Sequence, residues 1–417
     1  MSKRLFESLG VAVALAVVIM LLRLTPVLGQ GQTNGAKATN GASAMTPWGE
    51  PDLQGIWTRD SDVPLQRPTK YANREFLTDQ ERKELDDKII GAVSREADPD
   101  RRKQAGIVDV GGAYNAKVYT SHLRTGTRTS MVVDPPDGKL PALTAAEQAR
   151  RKAFREFQLT LLQPSEVCKL KMQACVGGAY KPELAAKRDI APPYYLSGGQ
   201  GGIGSGAGII SRSHDPEDRG LSERCMSAAL PDFGGFRRIV QSQGQVSIYY
   251  DTGQGQGWAR NIPITNAPHL PKNVRQWWGD SRGHWEGKTL VVDVTNFSEK
   301  SNFQGAHQNL HLVERWTRAD ADTIEYAVTV EDPTVWTKPW TAKQELKKQN
   351  DKLNRIYYEP RCHEGNYGMA TLLAGARLDE RLFKAGKAPN PAFKCLGACG
   401  GFAGGFADEG EDVNPVN

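Results

Sequence analysis

The side chains best suited to chemistry are concentrated between residues 275 and 367, which hold six of the nine tryptophans. Four residues there are candidates for general acid–base catalysis, because histidine and carboxylates of altered pKa exchange protons near neutral pH. They are Asp293, Glu314, His363 and Glu364. Glu314 shares one side of a predicted strand with leucine and tryptophan, and burial there would raise its pKa. An ion pair with arginine at the surface is the alternative for Glu314, and the sequence leaves both open.

A second group of residues could line a pocket for an aromatic or polycyclic ligand. Tryptophan supplies a large apolar surface with one polar atom, which suits both a ligand wall and a protein core. Arg275 and Asp280 flank one tryptophan pair and could form an ion pair that holds it. The candidate ligand-binding residues are Arg275, Trp277, Trp278, Trp336, Asn366 and Tyr367.

His363 lies between a cysteine and a predicted helix, at a corner of the chain. It could act as a base that Glu364 orients, or make a structural hydrogen bond. His307 and His311 are four residues apart and could bind a metal together with Glu314, but they lie at the entry to a predicted strand, so no metal site is expected. The GxSxG, HExxH and dinucleotide-binding motifs are absent, which disfavours common hydrolases, zincins and dehydrogenases, and no cofactor is expected.

Alternation of polar and apolar residues positions these side chains on strands. Successive hairpins are predicted from about residue 234 to residue 359, with turns at Gly244 and Gly287. A chain of hairpins most easily removes its free edges by closing into a barrel. The sequence therefore predicts a mainly β, α+β protein with an antiparallel, lipocalin-like meander barrel over residues 231–385, which includes a C-terminal helix.

The region before the barrel is predicted to be helical and irregular. Thr78–Glu81 and Thr144–Glu147 have the spacing of capping boxes and predict helices to about residues 96 and 162. Gly55 and Trp57 resemble the Gly-x-Trp opening of a lipocalin-type barrel, and Trp57 is expected in the core. The predicted segments are a signal peptide (1–29), a flexible linker (30–46), an N-terminal region packed on the barrel (47–230), and a Gly-rich, acidic tail (386–417). A Gly-rich loop spans 194–211.

The N-terminus has the layout of a secretory signal. Lys3 and Arg4 precede an apolar run over residues 9–22, and small residues follow at the expected cleavage site near residue 29. An uncleaved anchor is the alternative. The protein is therefore expected in the periplasm or outside the cell, with no membrane contact once the signal is removed.

Six cysteines fit an oxidising compartment, where disulfides are the default. They allow 15 pairings, and we favour two local pairs with a long-range third. The cysteines are Cys168, Cys175, Cys225, Cys362, Cys395 and Cys399, with the pairs in the order 168–175, 225–362 and 395–399. The net charge of +5 is scattered along the 417 residues, so nucleic acid is not an expected partner.

Several strings are similar to a large family of secreted bacterial hypothetical proteins. The resemblance spans roughly residues 47–385 and implies a shared fold and compartment, but no catalytic residues. The Gly-rich loop and the Cys-Leu-Gly-Ala-Cys tail depart from it. The strings are PDLQGIWT, SMVVDPPDGKLPALT, DPEDRGLSERC, LPKNVRQWWGDSRGHWEGKTLVVDVTNF, NLHLVERWTRADADTIEY and CHEGNYGM.

These observations favour binding of a small, partly apolar or aromatic ligand inside the barrel. One alternative is a cofactor-independent lyase, isomerase or hydrolase that uses His/Glu acid–base chemistry. The other is a structural or self-assembling envelope protein, because Gly-rich segments and open sheet edges would permit self-association.

Overall fold

The structure is a computed structural model, and the described part of the chain belongs to one compact unit, residues 43–417. Within that unit the structure describes residues 45–59, 61–71, 73–96, 124–164, 166–169, 171, 178–184, 230–234, 236–251, 257–349 and 367–388.

Strands dominate the described residues, and helices flank them in the sequence. The strands are β1 (Gly55–Thr58), β2 (Ser61–Asp62), β3 (Arg124–Thr125), β4 (Val132–Asp134), β5 (Phe236–Ser242), β6 (Gln245–Asp251), β7 (Gly257–Pro263), β8 (Asp280–Glu286), β9 (Thr289–Thr295), β10 (His311–Arg318), β11 (Thr323–Glu331) and β12 (Trp340–Lys348). The helices are α1 (Asp79–Glu96), α2 (Ala145–Leu162), α3 (Glu166–Lys169) and α4 (Tyr367–Lys384), with a 3-10 turn at Thr69–Tyr71.

One antiparallel sheet of ten strands curls into a nearly closed barrel, which confirms the predicted mainly β, lipocalin-like architecture. Nine strands follow one another in the order β7, β6, β5, β1, β12, β11, β10, β9, β8. The two ends of this series meet at a parallel bridge between Ile264 and Gly283, where the Thr265 amide donates to the Gly283 carbonyl at 2.9 Å. The bridge covers part of the β7 and β8 edges.

The inward face of each strand follows the period-two pattern of the sequence. On β10, Leu312, Glu314 and Trp316 are almost fully buried, whereas Arg315 between the last two is exposed. Trp316 lies opposite Tyr326 of β11 in the hairpin register. Because neighbours across a sheet share a face, the inward side chains of all the strands build one core.

The barrel is not confined to the C-terminal half of the chain. Strand β1 pairs with both β5 and β12, and β4 pairs with β12 as well. The predicted division at residue 230 therefore leaves out two strands of the sheet. The Gly-x-Trp pattern pointed to β1, but strands of four and three residues are too short for period-two alternation to assign β1 and β4 to the barrel.

Trp57 and Arg318 pack together near the start of β1. Trp57 is fully buried, as expected for a core residue, and its indole Nε1 donates to the Leu53 carbonyl at 2.8 Å. The Arg318 guanidinium lies 5.5 Å from the centre of a Trp57 ring and donates to the carbonyls of Asp52, Asp320 and Ala321. This arrangement fixes the start of the chain's first barrel strand.

The two predicted capping boxes have different outcomes. At α1 the box is reciprocal, since the Thr78 amide donates to Glu81 and the Glu81 amide donates to Thr78. At α2 the Glu147 amide donates to Thr144 Oγ1 at 3.2 Å, but the Thr144 amide donates to Val335 instead. Glu147 instead binds Arg150 and Arg151. None of the helices in the described ranges is long and apolar enough to span a membrane.

Candidate functional site

Seven polar and aromatic side chains are buried together on the inward side of the sheet. They come from β5, β6, β7, β10 and β11, and each follows the inward parity of its strand. We call them the interior cluster: Arg237, Tyr250, Trp258, Arg260, Glu314, Trp316 and Tyr326.

Glu314 is at the centre of the contacts within the interior cluster. It is 0% exposed, with Oε2 2.6 Å from Arg260 Nη2. The Tyr326 hydroxyl donates to Oε1 at 2.8 Å. Glu314 is therefore buried, as the first alternative predicts, but it is paired with a cation that the sequence did not identify. The surface pairing with an arginine is wrong.

Arg260 connects Glu314 to the opposite part of the barrel wall. Its Nε donates to Ser281 Oγ at 3.0 Å and its Nη1 to the Tyr250 hydroxyl at 3.4 Å. Burial lowers the pKa of Arg260, but the charge of Glu314 more than offsets this, and the pKa stays above its ordinary value. Arg260 is therefore a permanent cation.

The two tyrosines of the interior cluster are neutral hydroxyl donors at physiological pH. Burial raises the pKa of Tyr250 to about 12. Burial, together with the negative charge of Glu314, raises the pKa of Tyr326 well above its ordinary value.

Aromatic rings form the apolar part of the interior cluster. Tyr250 and Trp258 are stacked, with ring centres 5.4 Å apart, and Trp316 and Tyr326 lie 4.4 Å apart. Trp278, one of the predicted ligand-binding residues, lies 5.6 Å from Trp258. Trp278 is thus in contact with the interior cluster.

Several buried polar atoms of the interior cluster have no hydrogen-bond partner among the described residues. They are Arg237 Nε and Nη1, Trp258 Nε1 and Trp316 Nε1, together with Arg260 Nη2 and Glu314 Oε2, which face each other as an ion pair; the nearby Gln344 Oε1 has no hydrogen-bond partner either. More than nine in ten buried polar groups in proteins are bonded, and each unbonded one costs about 1–3 kcal/mol. The interior cluster thus offers hydrogen-bond donors to a further molecule.

The predicted acid–base candidate Asp293 lies on the opposite, outer face of the sheet. Its two oxygens contact His269 Nε2 at 2.8 Å and His311 Nε2 at 3.0 Å. The Nδ1 atoms of the two rings contact Asp280 at 2.8 Å and Glu331 at 3.4 Å. We call these five residues the outer histidine cluster.

The outer histidine cluster is partly exposed, and its hydrogen bonds favour the charged forms of His311 and Asp293. The Asp293 hydrogen bond raises the pKa of His311 against the effect of burial. The same bond lowers the pKa of Asp293. An imidazole that faces two carboxylates can donate to both only when both of its nitrogens carry protons. Asp293 and Glu314 thus occupy opposite faces and do not share one active site.

The predicted ion pair between Arg275 and Asp280 is wrong. Arg275 donates to the carbonyls of Phe297 and Gln308 at 3.0 and 2.8 Å, which fixes the loop before β8. Asp280 pairs instead with Arg282 at 2.7 Å and with His269.

The remaining predicted site residues do not join the interior cluster in the described structure. Trp336 is buried with its ring centre 5.5 Å from that of Trp340, edge to face, so it serves the core. Trp277 is half-buried, and its carbonyl accepts from Ser301 Oγ. Tyr367 begins α4. His363, Glu364 and Asn366 lie outside the described residues.

Across the described ranges, no group of three or more His, Cys, Asp or Glu side chains could hold a metal ion. The metal alternative for His307, His311 and Glu314 is wrong, because His311 and Glu314 are on opposite faces of β10. His307 Nδ1 is bonded to the Ser301 carbonyl.

Of the six cysteines, only Cys168 lies in the described part of the chain. It is buried near the end of α3 and is disulfide-bonded. The other five cysteines are outside the described residues, so the pairing stays a prediction.

Three residues of these clusters were not predicted from the sequence. They are Arg237 and Arg260 of the interior cluster and His269 of the outer histidine cluster. The alternation of inward and outward positions could have identified Arg260, since it lies between Trp258 and Ile262 on the inward side of β7. Arg237 lies opposite Tyr250 in the same way. His269 carries no such signal, because it lies in the loop between β7 and β8.

Comparison with known proteins identifies no family. No protein-family model matches the chain, and no curated protein matches it either.

Proposed function

We propose that this protein is secreted and binds a small, partly apolar or aromatic molecule inside the barrel, at the interior cluster. The observation that carries the proposal is the set of buried N–H groups of Arg237, Trp258 and Trp316 that have no partner in the described part of the chain. A ligand that presents acceptor atoms there would offset the cost of burying those donors.

The chemistry of the surrounding side chains supports a ligand with a flat apolar part. The Tyr250–Trp258 stack offers large ring faces, and Trp278 extends the same aromatic surface. Binding sites for small molecules combine such apolar walls with a few polar groups that set orientation. The interior cluster has both the aromatic walls and the polar groups.

Secretion is the second part of the proposal, and it rests on the sequence. Lys3, Arg4 and the following apolar run have the order of a secretory signal. These residues lie outside the described ones. A fusion of residues 1–46 to a reporter enzyme that is active only after export tests this part, and a reporter that stays in the cytoplasm would contradict it.

Tryptophan fluorescence tests ligand binding directly. A library of small aromatic and partly apolar compounds is titrated into the full chain, with the melting temperature as a second readout. Compounds that bind at the interior cluster should quench or shift the emission and raise the melting temperature. Trp258→Phe keeps an aromatic ring but removes Nε1–H, so it should weaken the compounds that use this donor by roughly 5- to 10-fold.

Trp48→Phe is the matched control, because the Trp48 indole already donates to Glu50 outside the barrel, at 2.8 Å. The affinity of the Trp48→Phe variant for every compound should equal that of the unaltered protein. If no compound in the library shifts the emission or the melting temperature, the binding proposal is wrong.

A second candidate function is acid–base catalysis in the same interior, and the Glu314–Tyr326 hydrogen bond favours it. A neutral phenol beside a carboxylate can donate its proton to one atom of a substrate, while Glu314 accepts a proton from another atom of the same substrate. Compounds that bind are incubated with the protein and analysed for products. Products that form equally fast with Tyr326→Phe would exclude this chemistry.

A further inference from the structure

The charge of Arg237 is poorly balanced compared with that of Arg260. Arg237 is 0% exposed, and its partner carboxylate among the described residues, Asp232, has Oδ2 3.7 Å away. Arg260, by contrast, has a Glu314 oxygen at 2.6 Å. A buried cation without a close counter-ion is unfavourable, so this position favours the arrival of a negative charge.

The hydrogen bonds of Arg237 are also incomplete among the described residues. Its Nη2 donates to the Asp232 carbonyl, whereas Nε and Nη1 have no partner among the described residues. Asp232 Oδ2 accepts no hydrogen bond from the described residues either. Burial raises the pKa of Asp232, although the charge of Arg237 opposes this.

The neighbours of Arg237 are suited to an aromatic group. The guanidinium carbon lies 5.6 Å from the centre of the Tyr250 ring, and Tyr250 is stacked on Trp258. Trp258 Nε1 is a further buried donor without a partner in the described chain. A cationic group beside a stacked aromatic pair is suited to a molecule with an anionic end and a flat apolar body.

We propose that the interior cluster selects aromatic carboxylates, with Arg237 as the anion-binding residue and the Tyr250–Trp258 stack as the surface for the apolar body. This inference rests on the proposed ligand-binding function and gives its ligand class. Guanidinium–carboxylate hydrogen bonds are about twice as strong as neutral ones, so the charge of the ligand dominates its selection.

The test compares two probes of nearly equal shape, 2-naphthoate and 2-naphthamide, by calorimetry on the full chain. Because hydrogen bonds to a charged group are stronger than those to a neutral one, 2-naphthoate should bind roughly tenfold or more tightly than 2-naphthamide. In Arg237→Met this ratio should fall to about one, because the variant removes the cation but keeps a long apolar side chain. Arg315→Met, at an exposed arginine paired with Glu286 on the outer face, should keep the original ratio.

The melting temperature of Arg237→Met shows whether the variant folds. Arg237→Met leaves the buried Asp232 without the Arg237 charge, so the melting temperature should fall, and a cooperative melt shows that the variant still folds. If Arg237→Met does not fold, Arg237→Lys replaces it, and this variant should lower the preference for 2-naphthoate because a lysine loses the planar donor geometry.

Failure of the inference can be distinguished from failure of the proposed function. Equal affinity of the two probes for the unaltered protein, or binding of neutral library compounds alone, overturns the carboxylate class but leaves ligand binding intact. A ratio that Arg237→Met does not change overturns the role of Arg237. If no compound binds, both proposals fall.

Discussion

The Arg260–Glu314 ion pair has energetic consequences that differ from those of ion pairs on the outside of the barrel. Both side chains are almost fully buried, so the attraction between them must offset the loss of hydration of two charges. The outer pair of Lys343 and Glu325 is a contrast, since both side chains are about two-fifths exposed and 3.0 Å apart. Surface pairs of that kind contribute about 0–1 kcal/mol.

Glu314→Gln should destabilise the protein by about 3–5 kcal/mol, because it leaves the Arg260 charge buried without a counter-ion. Urea denaturation measures this change. Glu325→Gln, the same substitution on the adjacent strand, should change stability by less than about 1 kcal/mol. A change of 1 kcal/mol or less for Glu314→Gln would contradict the buried pairing of Glu314.

The outer histidine cluster should stabilise the protein over a limited pH range. Because the folded pKa of His311 is raised, its contribution is complete below the ordinary histidine pKa and is lost as the pH rises through the raised value. Because the folded pKa of Asp293 is lowered, its contribution is complete above the ordinary aspartate pKa and is lost as the pH falls. The two conditions overlap between roughly pH 4 and pH 6.5.

His311→Gln should therefore destabilise the protein most near pH 5–6, by no more than about 1 kcal/mol because the group is partly exposed. The difference should shrink by pH 9. Chemical denaturation at several pH values and low salt gives the profile. His284→Gln changes an exposed histidine paired with Glu286 and should have little effect at any pH. A loss that stays constant from pH 5 to pH 9 in His311→Gln would show that the ring serves packing alone.

At the scale of elements, the loop between β7 and β8 determines how well the barrel closes. Asn296, after β9, donates through Nδ2 to the carbonyls of Leu270, Pro271 and Val274 at 2.8–3.2 Å. It also has a φ of 57°, a conformation that asparagine tolerates better than most residues. Asn296 thus holds the loop and turns the chain at one position.

Asn296→Ala should destabilise the protein by roughly 2 kcal/mol or more, because it removes the loop hydrogen bonds and adds backbone strain. Asn296→Gly removes the same bonds but tolerates the positive φ, so it should cost about 1 kcal/mol less than alanine. Amide hydrogen exchange over residues 268–276 should rise in both variants. Unchanged exchange there would show that other contacts hold the loop.

The hairpins of the barrel were predictable, whereas the partners of its short strands were not. Alternation located β5 to β12, because each has at least seven residues and a clear inward side. The same parity grouped Glu314 with Leu312 and Trp316 but did not decide between burial and a surface ion pair. The short β1 pairs with strands about 180 and 290 residues away in sequence, and no local pattern encodes such a distance. Loop residues such as His269 are unpredictable for the same reason.

At the scale of the whole molecule, closure of the barrel depends on chain segments that are far apart in sequence. β1 lies between β5 and β12 and supplies the buried Trp57, which packs against Arg318. β4 covers another part of the β12 edge. Strands β1 and β4 are therefore part of the barrel that encloses the interior cluster, and we expect the proposed ligand site to need them.

A fragment of residues 231–388 should fail to form a stable, closed barrel. It keeps β5 to β12 but lacks β1 and β4, so the edges of β5 and β12 are left free to pair with other chains. Light scattering should show concentration-dependent aggregation, and thermal melting should lack a cooperative transition.

The control for this fragment is a chain of residues 43–417, which keeps every described strand and should melt cooperatively. A 231–388 fragment that stayed monomeric, melted cooperatively and bound the same compounds as the full chain would contradict this prediction. It would show that the barrel folds without β1. Because Trp57 lies opposite Arg237 in the β1–β5 register, we expect instead that loss of β1 exposes Arg237 to water and abolishes ligand binding at the interior cluster.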